Sequence, residues 1–531
     1  MPPSPPTSPP AAKRAKLDAE PPATLSSPAQ PNGQQRAERD VPSDSESEDE
    51  PEEAIPDEEE DLRHRDMYLD TVSRANLDFD FERLCSKSLS NINVYCCLVC
   101  GKYFQGRGRG SWAYRHAVGE NHRVWLNLAT EKFYVLPEGY LVSDPSLNDI
   151  LHVLNPRFEA ASLAGLSDLR PPSLTLEKRE YLPGYVGLNN MKANDYLNVI
   201  TQMLLHVPPI RNFFLNPNTP QLQESARPTE LVSRLAALTR RLWNPRLFKA
   251  QVSPHEFFHE VTKRSNGKFT TIEQGDPVEF LGWLINTLHR DLGGTRKRNS
   301  SVIYTTFQGK VQIETQKIIT HKDYARPVFE ESRDIERMSS PFLFLALDLP
   351  ATPLFQDANE KKIIPQVSLA SILAKFDGKT TQEFGPTLKR HHLQALPPYL
   401  ILHIKRFTKN NFVEEKNPTI VNFPMRGVDM QPYVDPKPSD PIMACYDLLS
   451  NVVLESTMAS TKASGKPDPS DDSTVAWKIF QRAGRGGGES ERWYEMQDLR
   501  VEDVRREMVP LGETVIQVWE RRDLSTPAKR A

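Results

Sequence analysis

The chain has 531 residues, with 66 Lys and Arg against 70 Asp and Glu, a length that allows about three domains at ~100–200 residues each and one large core. No run of ~18 apolar residues occurs, which excludes a membrane-spanning helix, and the opening MPPSPPTSPPAAKRAKLD lacks the apolar segment of a secretory signal. Of five cysteines, four lie between Cys85 and Cys100 and the fifth is Cys445; this excludes a disulfide framework and points to a metal site in a reducing compartment.

Charge is unevenly placed. Residues 40–61 hold 13 acids and no Lys or Arg, whereas from residue 62 on there are 61 basic against 54 acidic side chains. A mildly basic body behind an acidic tail fits a nuclear protein working near nucleic acid. Residues 1–61 carry 13 of the 45 prolines and no aromatic residue, so they are expected to be disordered. Within them Lys13-Arg14-Ala15-Lys16 reads as a nuclear-import signal or a solvated charge cluster. Ser43, Ser45 and Ser47, set among acids, read as phosphorylation sites or as low-complexity filler.

An ordered, aromatic-rich segment is expected over 62–166, followed by a linker over 167–179 around Arg170-Pro171-Pro172. A mixed helix-and-strand domain is expected over 180–524, and a short tail over 525–531. Leu197, Ile200 and Leu204 set a helical period that ends at Pro208-Pro209. A second helix is expected at Pro277–Leu292. Strands are expected at Phe342–Leu349, Tyr399–Ile404, Val475–Phe480 and Val515–Trp519. Residues 455–474 read as a polar insertion and Gly484–Gly488 as a flexible loop tip. No internal repeat is present.

Cys97-Leu98-Val99-Cys100-Gly101-Lys102 has the form of a zinc knuckle: a two-residue gap lets two thiolates face one ion, and the glycine allows the tight turn. His116 and His122 complete C-x2-C-x15-H-x5-H, at the edge of the spacings of a tetrahedral Cys2His2 site. Cys85 or Cys96 could replace one of these ligands, although adjacent Cys96 and Cys97 could both face one ion only with strain. Cys445, before Tyr446 and with no local His, reads as a core thiol.

From CLVCGKYF through AYRHAVGENHRVWLNL the segment resembles the ubiquitin-binding-protein type zinc finger of many deubiquitinases. In that family an Arg after a zinc cysteine and an aromatic pocket grip the carboxy-terminal Gly-Gly of ubiquitin. Lys102 stands at the matching place and lacks the bidentate fork of Arg. The resemblance therefore implies one structural Zn2+ in a docking module, with ubiquitin binding weak or absent.

GLNNMKANDYLNVITQ (187–202) resembles the cysteine box of ubiquitin-specific proteases. Further matches follow in order: Gln274-Gly275-Asp276-Pro277-Val278-Glu279-Phe280-Leu281, then LPPYLILHIKRF (396–407), Trp493-Tyr494-Glu495-Met496-Gln497-Asp498, and the final strand TVIQVW. This implies an α+β, papain-like ubiquitin-specific-protease fold of fingers, palm and thumb, preceded by the zinc finger and the disordered tail. A cysteine peptidase needs a thiolate, a His and an oxyanion donor. In register, Asp195 stands in the nucleophile's place and Ala193 in that of the oxyanion Asn. Ala476 or Val475 occupies the place of the His, and Gln497 that of its orienting Asp or Asn. No cysteine lies between Cys100 and Cys445, and all 12 histidines lie at or before His403. Asp195, or Asn194 before it, is expected to cap the helix that follows, at about 0.5–2 kcal/mol.

KANDY in this box, joined to the finger and the acidic tail, resembles the catalytically inactive, ubiquitin-specific-protease-like splicing factors of the tri-snRNP. That resemblance implies a nuclear, non-enzymatic scaffold in pre-mRNA splicing, with tri-snRNP proteins and snRNA as partners and no membrane. The alternatives are a non-cleaving receptor for ubiquitin or a ubiquitin-like protein, and an active deubiquitinase with another nucleophile such as Cys445.

Overall fold

The computed structural model describes residues 68–80, 82–223, 226–321, 328–351, 364–409, 414–456, 475–485 and 491–525. The expectations for the 1–61 tail lie outside these residues, as do those for 457–474, for 486–488 and for 526–531.

The first ordered unit is a five-stranded antiparallel sheet. Its strands are β1 (Val94–Cys97), β2 (Tyr103–Gln105), β3 (Val124–Asn127), β4 (Phe133–Val135) and β5 (Tyr140–Val142), in the order β2-β1-β3-β4-β5. Helix α1 (Trp112–Glu120) crosses between β2 and β3. Side chains alternate across a strand, so Val94 and Cys96 enter one small core while Tyr95 and Cys97 enter another on the opposite face. Phe248, from the larger domain, completes the first of these cores. Around it Lys249 pairs with Asp78 at 3.0 Å, and the Ser253 N–H donates to Asp80 at 2.9 Å.

The expected linker is not featureless: Ser173–Leu174 pairs antiparallel with Glu180–Tyr181. The larger domain then opens with α2 (Asp195–Leu205), α3 (Pro208–Leu215), α4 (Glu230–Leu242), α5 (His255–Arg264) and α6 (Pro277–Asp291). All eleven residues of α2 are buried. It is apolar nearly all round, the pattern of a core helix, and its polar members find partners inside. Thr201 donates to the Leu197 carbonyl at 2.8 Å and Gln202 to the Val186 carbonyl at 2.9 Å. Pro208 and Pro209 do not bound α2 directly, since it ends at Leu205; they open α3, where proline's missing N–H costs nothing. In α6, Asp276 caps by accepting from the Val278 N–H at 2.7 Å, and Phe280, Leu281, Leu284, Ile285 and Leu288 form the buried stripe.

Two sheets follow. The smaller comprises β6 (Gly309–His321), β7 (Val328–Phe342), β9 (Gln382–Phe384) and β10 (Thr387–Ala395), in the order β7-β6-β10-β9. The larger comprises β8 (Leu345–Asp348), β11 (Tyr399–Lys405), β12 (Cys445–Ser456), β13 (Val475–Ala483), β14 (Arg492–Gln497), β15 (Arg500–Val504) and β16 (Glu513–Arg521), in the order β8-β11-β16-β12-β13-β14-β15, with an eighth, two-residue strand, Val428–Asp429, paired to β12. The expected strand at 342–349 is split: Phe342 ends β7 and Leu345 opens β8. The first two residues of the expected insertion, Glu455 and Ser456, belong to β12. β11 shows why the sheet is central. Tyr399 and Ile401 pack into the core that holds α2, while Leu400, Leu402 and Ile404 pack into a second core on the other face. Cys445 is half-buried at the start of β12, so it is not a core thiol; Tyr446 beside it is the core residue. No helix among the described residues is long and apolar enough to cross a membrane.

Candidate metal centre and peptidase-like cleft

Cys97 closes β1 and Cys100 lies in the turn that follows. The Gly101 N–H donates to the Cys97 carbonyl at 2.8 Å, and the Cys97 N–H to the Lys102 carbonyl at 2.9 Å. Gly101 has φ +76°, and a Cβ there would sit 2.1 Å from the Asn76 carbonyl oxygen, so both conformation and space demand glycine. His116 is presented by α1, which Ser111 caps by accepting from the Tyr114 N–H. Asn121, left-handed at φ 57°, ends the helix and turns His122 back. The Phe104 ring stacks on His116 at 4.5 Å, and Trp125 Nε1 donates to the His122 carbonyl at 2.9 Å.

The donor atoms of Cys97, Cys100, His116 and His122 all lie within 4.8 Å of one another. Cys100 Sγ is 3.5 Å from His116 Nε2, which is 3.0 Å from His122 Nδ1. A tetrahedral zinc ion, with Zn–S ~2.3 Å and Zn–N ~2.0–2.1 Å, sets such atoms ~3.3–3.8 Å apart, so the donor set fits the metal. A hydrogen bond from the Cys97 thiol, helped by the Lys102 amide and both imidazoles, holds the Cys100 thiol well below its ordinary value. Cys85 and Cys96 stand apart from the group. Cys96 points to the opposite face, where burial pushes its thiol up. Cys85 Sγ accepts from the N–H groups of Lys87 and Ser88. Lys102 is exposed. Arg107 lies over the Tyr134 ring at 4.8 Å and donates to the Gly139 carbonyl at 3.4 Å, so its guanidinium is already engaged.

In the larger domain the loop before α2 is held by its own amides. Asn194 Oδ1 accepts from the Met191 N–H at 2.6 Å, and Asn190 Oδ1 from those of Lys192 and Asn194. The Ala193 N–H donates to the Thr271 carbonyl at 3.0 Å, which occupies that donor. The expected helix cap is corrected here. Asn194 is the N-cap residue but makes no side-chain cap bond, and Asp195 is already the first helical residue. Asp195 Oδ1 accepts from the Tyr196 N–H at 2.9 Å; Oδ2 accepts from the Trp477 N–H at 2.9 Å and from Gln274 Nε2 at 3.0 Å. The carboxylate thus ties α2 to β13 and to the loop before α6, rather than closing its own helix.

The tertiary structure brings positions 195, 476 and 497 to one place. Ala476 precedes Trp477 in β13. Gln497 ends β14, and Asp498 beside it accepts from Asn198 Nδ2 at 2.7 Å, one turn into α2, and from Asn190 Nδ2 at 2.8 Å. Gln274 and Asp498 are the participants the sequence reading did not single out. Gln274 lies in a recognised box, but its partner is 79 residues away.

Burial pushes the Asp195 carboxyl above its ordinary value, against the pull of bonds from Gln274, Trp477 and Tyr196; Asp498 adds to the rise. A pKa raised on folding contributes stability that is full below the unfolded value and lost as pH rises through the folded one. Asp195→Asn removes this titration. The parent should therefore lose stability relative to Asp195→Asn as pH rises from below about 4, the ordinary carboxyl value, to neutrality. Urea titrations at the two ends check this, and an unchanged gap would refute it.

Comparison with known proteins agrees with this geometry. Residues 186–520 match the family described as "Ubiquitin carboxyl-terminal hydrolase", and residues 85–147 match "Zn-finger in ubiquitin-hydrolases and other protein". A Schizosaccharomyces pombe protein named "Probable mRNA-splicing protein ubp10" is 46% identical over 86% of this chain and 88% of its own length. The Homo sapiens "Ubiquitin carboxyl-terminal hydrolase 39" is 46% identical over 87% of this chain and 81% of its own. The Saccharomyces cerevisiae "Pre-mRNA-splicing factor SAD1" is 31% identical over 86% of this chain and 93% of its own. A crystal structure of an essential yeast splicing factor superposes with a TM-score of 0.65 at 30% identity, over 86% of this chain and 99% of that one. The resemblance read from the motifs and the fold expected from it are borne out, and the chain belongs to the ubiquitin carboxyl-terminal hydrolase family.

Proposed function

We propose that this chain is a non-catalytic scaffold in pre-mRNA splicing, acting in the nucleus to support assembly or maintenance of the tri-snRNP. The observation that carries the non-catalytic part is the Asp195 carboxylate. It fills the nucleophile's place and accepts the Trp477 N–H beside Ala476, where the family needs an imidazole. A carboxylate attacking an isopeptide would form an anhydride, with no general acid in the last 128 residues of the type the family uses, because none of them is His. The splicing part is supported by relatives whose names carry that role at 46% and 31% identity over most of their length. The finger, over 62–166, would hold one structural Zn2+ through Cys97, Cys100, His116 and His122; four protein ligands close the site, and the metal supplies folding energy rather than chemistry. The pseudo-peptidase domain, over 180–524, would serve as a binding surface.

Affinity purification of the full chain, with identification of the bound RNAs, tests this reading. The tri-snRNP small nuclear RNAs should be enriched. Recovery of ubiquitin or ubiquitinated proteins without them would move the receptor reading ahead.

A further inference from the structure

β13 carries two sites at its two ends. Trp477 meets Asp195 near one end; Arg482, near the other, is buried in a different cleft. Arg482 Nη1 donates to the Leu448 carbonyl at 2.9 Å and Nη2 pairs with Glu520, while its buried Nε has no partner. Arg211 of α3, 2% exposed, faces only neutral acceptors. It donates to the Leu166 carbonyl at 3.2 Å, Ser167 Oγ at 2.9 Å and Asn212 Oδ1 at 2.9 Å, and lies over the Trp243 ring at 4.7 Å. Arg170 at the exposed rim donates only to the carbonyls of Gly165 and Ser162. Arg485 reaches Glu520 at 3.6 Å. All four arginines line one cleft, together with His206, Glu520 and the exposed Asp168.

Among the described residues neither Arg170 nor Arg211 makes an ion pair, and Glu520 already serves Arg482, Arg485 and the Tyr399 hydroxyl. Like charges collected in a partly dry cleft are costly unless an anion answers them. Burial first, and then Arg485 and Arg170, hold Arg211 down at about 10. His206 adds no charge: burial holds it at about 4, its Nδ1 bonds the Gln202 carbonyl, and its buried Nε2 has no partner. That nitrogen is an acceptor, the complement of the hydroxyl on a monoprotonated phosphate. The cleft holds about 40 Å³. At ~10–15 Å³ per water this is about three water positions, room for a small oxyanion. Planar guanidinium forks match phosphate oxygens.

We propose that this cleft binds a phosphate group, either as the free ion or as a phosphomonoester. The site is independent of the proposed scaffold role and of the metal centre. Calorimetry on the full chain, at fixed ionic strength in chloride, with inorganic phosphate and separately with phosphoserine, tests it. Saturable binding is expected with at least one of them. Arg170→Gln/Arg485→Gln should weaken it about tenfold or more, and Arg170→Gln alone, which breaks no contact to a carboxylate, should weaken it in the same direction. Tighter binding of phosphoserine would assign the site to a phosphorylated side chain; equal binding would assign it to the free ion. No saturable binding to either, or affinity unchanged in both variants, would overturn the proposal.

Discussion

Cys100→Ala should abolish metal binding and unfold the finger while the larger domain stays folded. The finger's two cores are small, and one of them contains Cys97 with Tyr95, Phe104, Ala113, Ala117, Trp125 and Leu136 grouped around the four donors. Helix α1 has nine residues, too few to be stable by itself, and the metal is what would pin its His116 face to the β1 turn. Structural zinc contributes roughly 10–16 kcal/mol of apparent binding energy at neutral pH, far more than such cores supply. Metal analysis should find one zinc per parent chain and none in the variant. Hydrogen exchange should lose protection across 94–142 and keep it in α2 and β16. Cys96→Ala is the control: it empties part of the opposite core but should retain the metal. A Cys100→Ala protein with full metal content and a protected finger would show that the ligand set is wrong.

Asp195→Cys should create no isopeptidase activity, and it should destabilise the domain. A thiol near ~8.5 is a few per cent thiolate at neutral pH unless an imidazolium lowers it. Ala476 and Gln497 supply neither imidazole nor an orienting carboxylate, and the Ala193 amide is committed to Thr271. Loss of one oxyanion donor alone costs ~10²–10³ in rate. A ubiquitin probe with a reactive carboxy-terminus should leave this variant unlabelled, and labelling or cleavage of a ubiquitin amide would refute the argument. The stability cost exceeds that of a helix cap. Asp195→Ala strands the buried N–H groups of Trp477 and Tyr196, while Gln274 Nε2 keeps the Val475 carbonyl; at ~1–3 kcal/mol for an orphaned buried group, a loss of about 2–4 kcal/mol is expected. Denaturant unfolding at neutral pH measures it. A loss within a few tenths of a kcal/mol would mean that water replaces the carboxylate.

Much of this protein is legible without coordinates because its signals are local or ordered along the chain. The spacing from Cys97 to His122 needs only a knuckle turn and a short helix, both of which the neighbouring residues encode: Gly101 at the turn, Ser111 at the cap, Asn121 at the exit. The Pro277 helix is announced by Asp276 before it and a periodic apolar stripe within it. The family boxes occur in the family's order, and the absence of histidine after residue 403 is a property of composition. Three matters were left to the tertiary structure. Which way Cys96 points depends on the register of β1 against β2 and β3, since adjacent residues face opposite sides of a sheet. What Asp195 does depends on a strand 282 residues away and a glutamine 79 residues away; its local sequence offered only a cap, the role a carboxylate takes at an isolated helix start. The arginine cleft gathers Arg170, Arg211, Arg482 and Arg485 from three separate stretches of the chain, none of them basic enough to stand out alone. Pairing across a sheet and packing between layers create such sites, and neither leaves a period or a motif in the linear sequence.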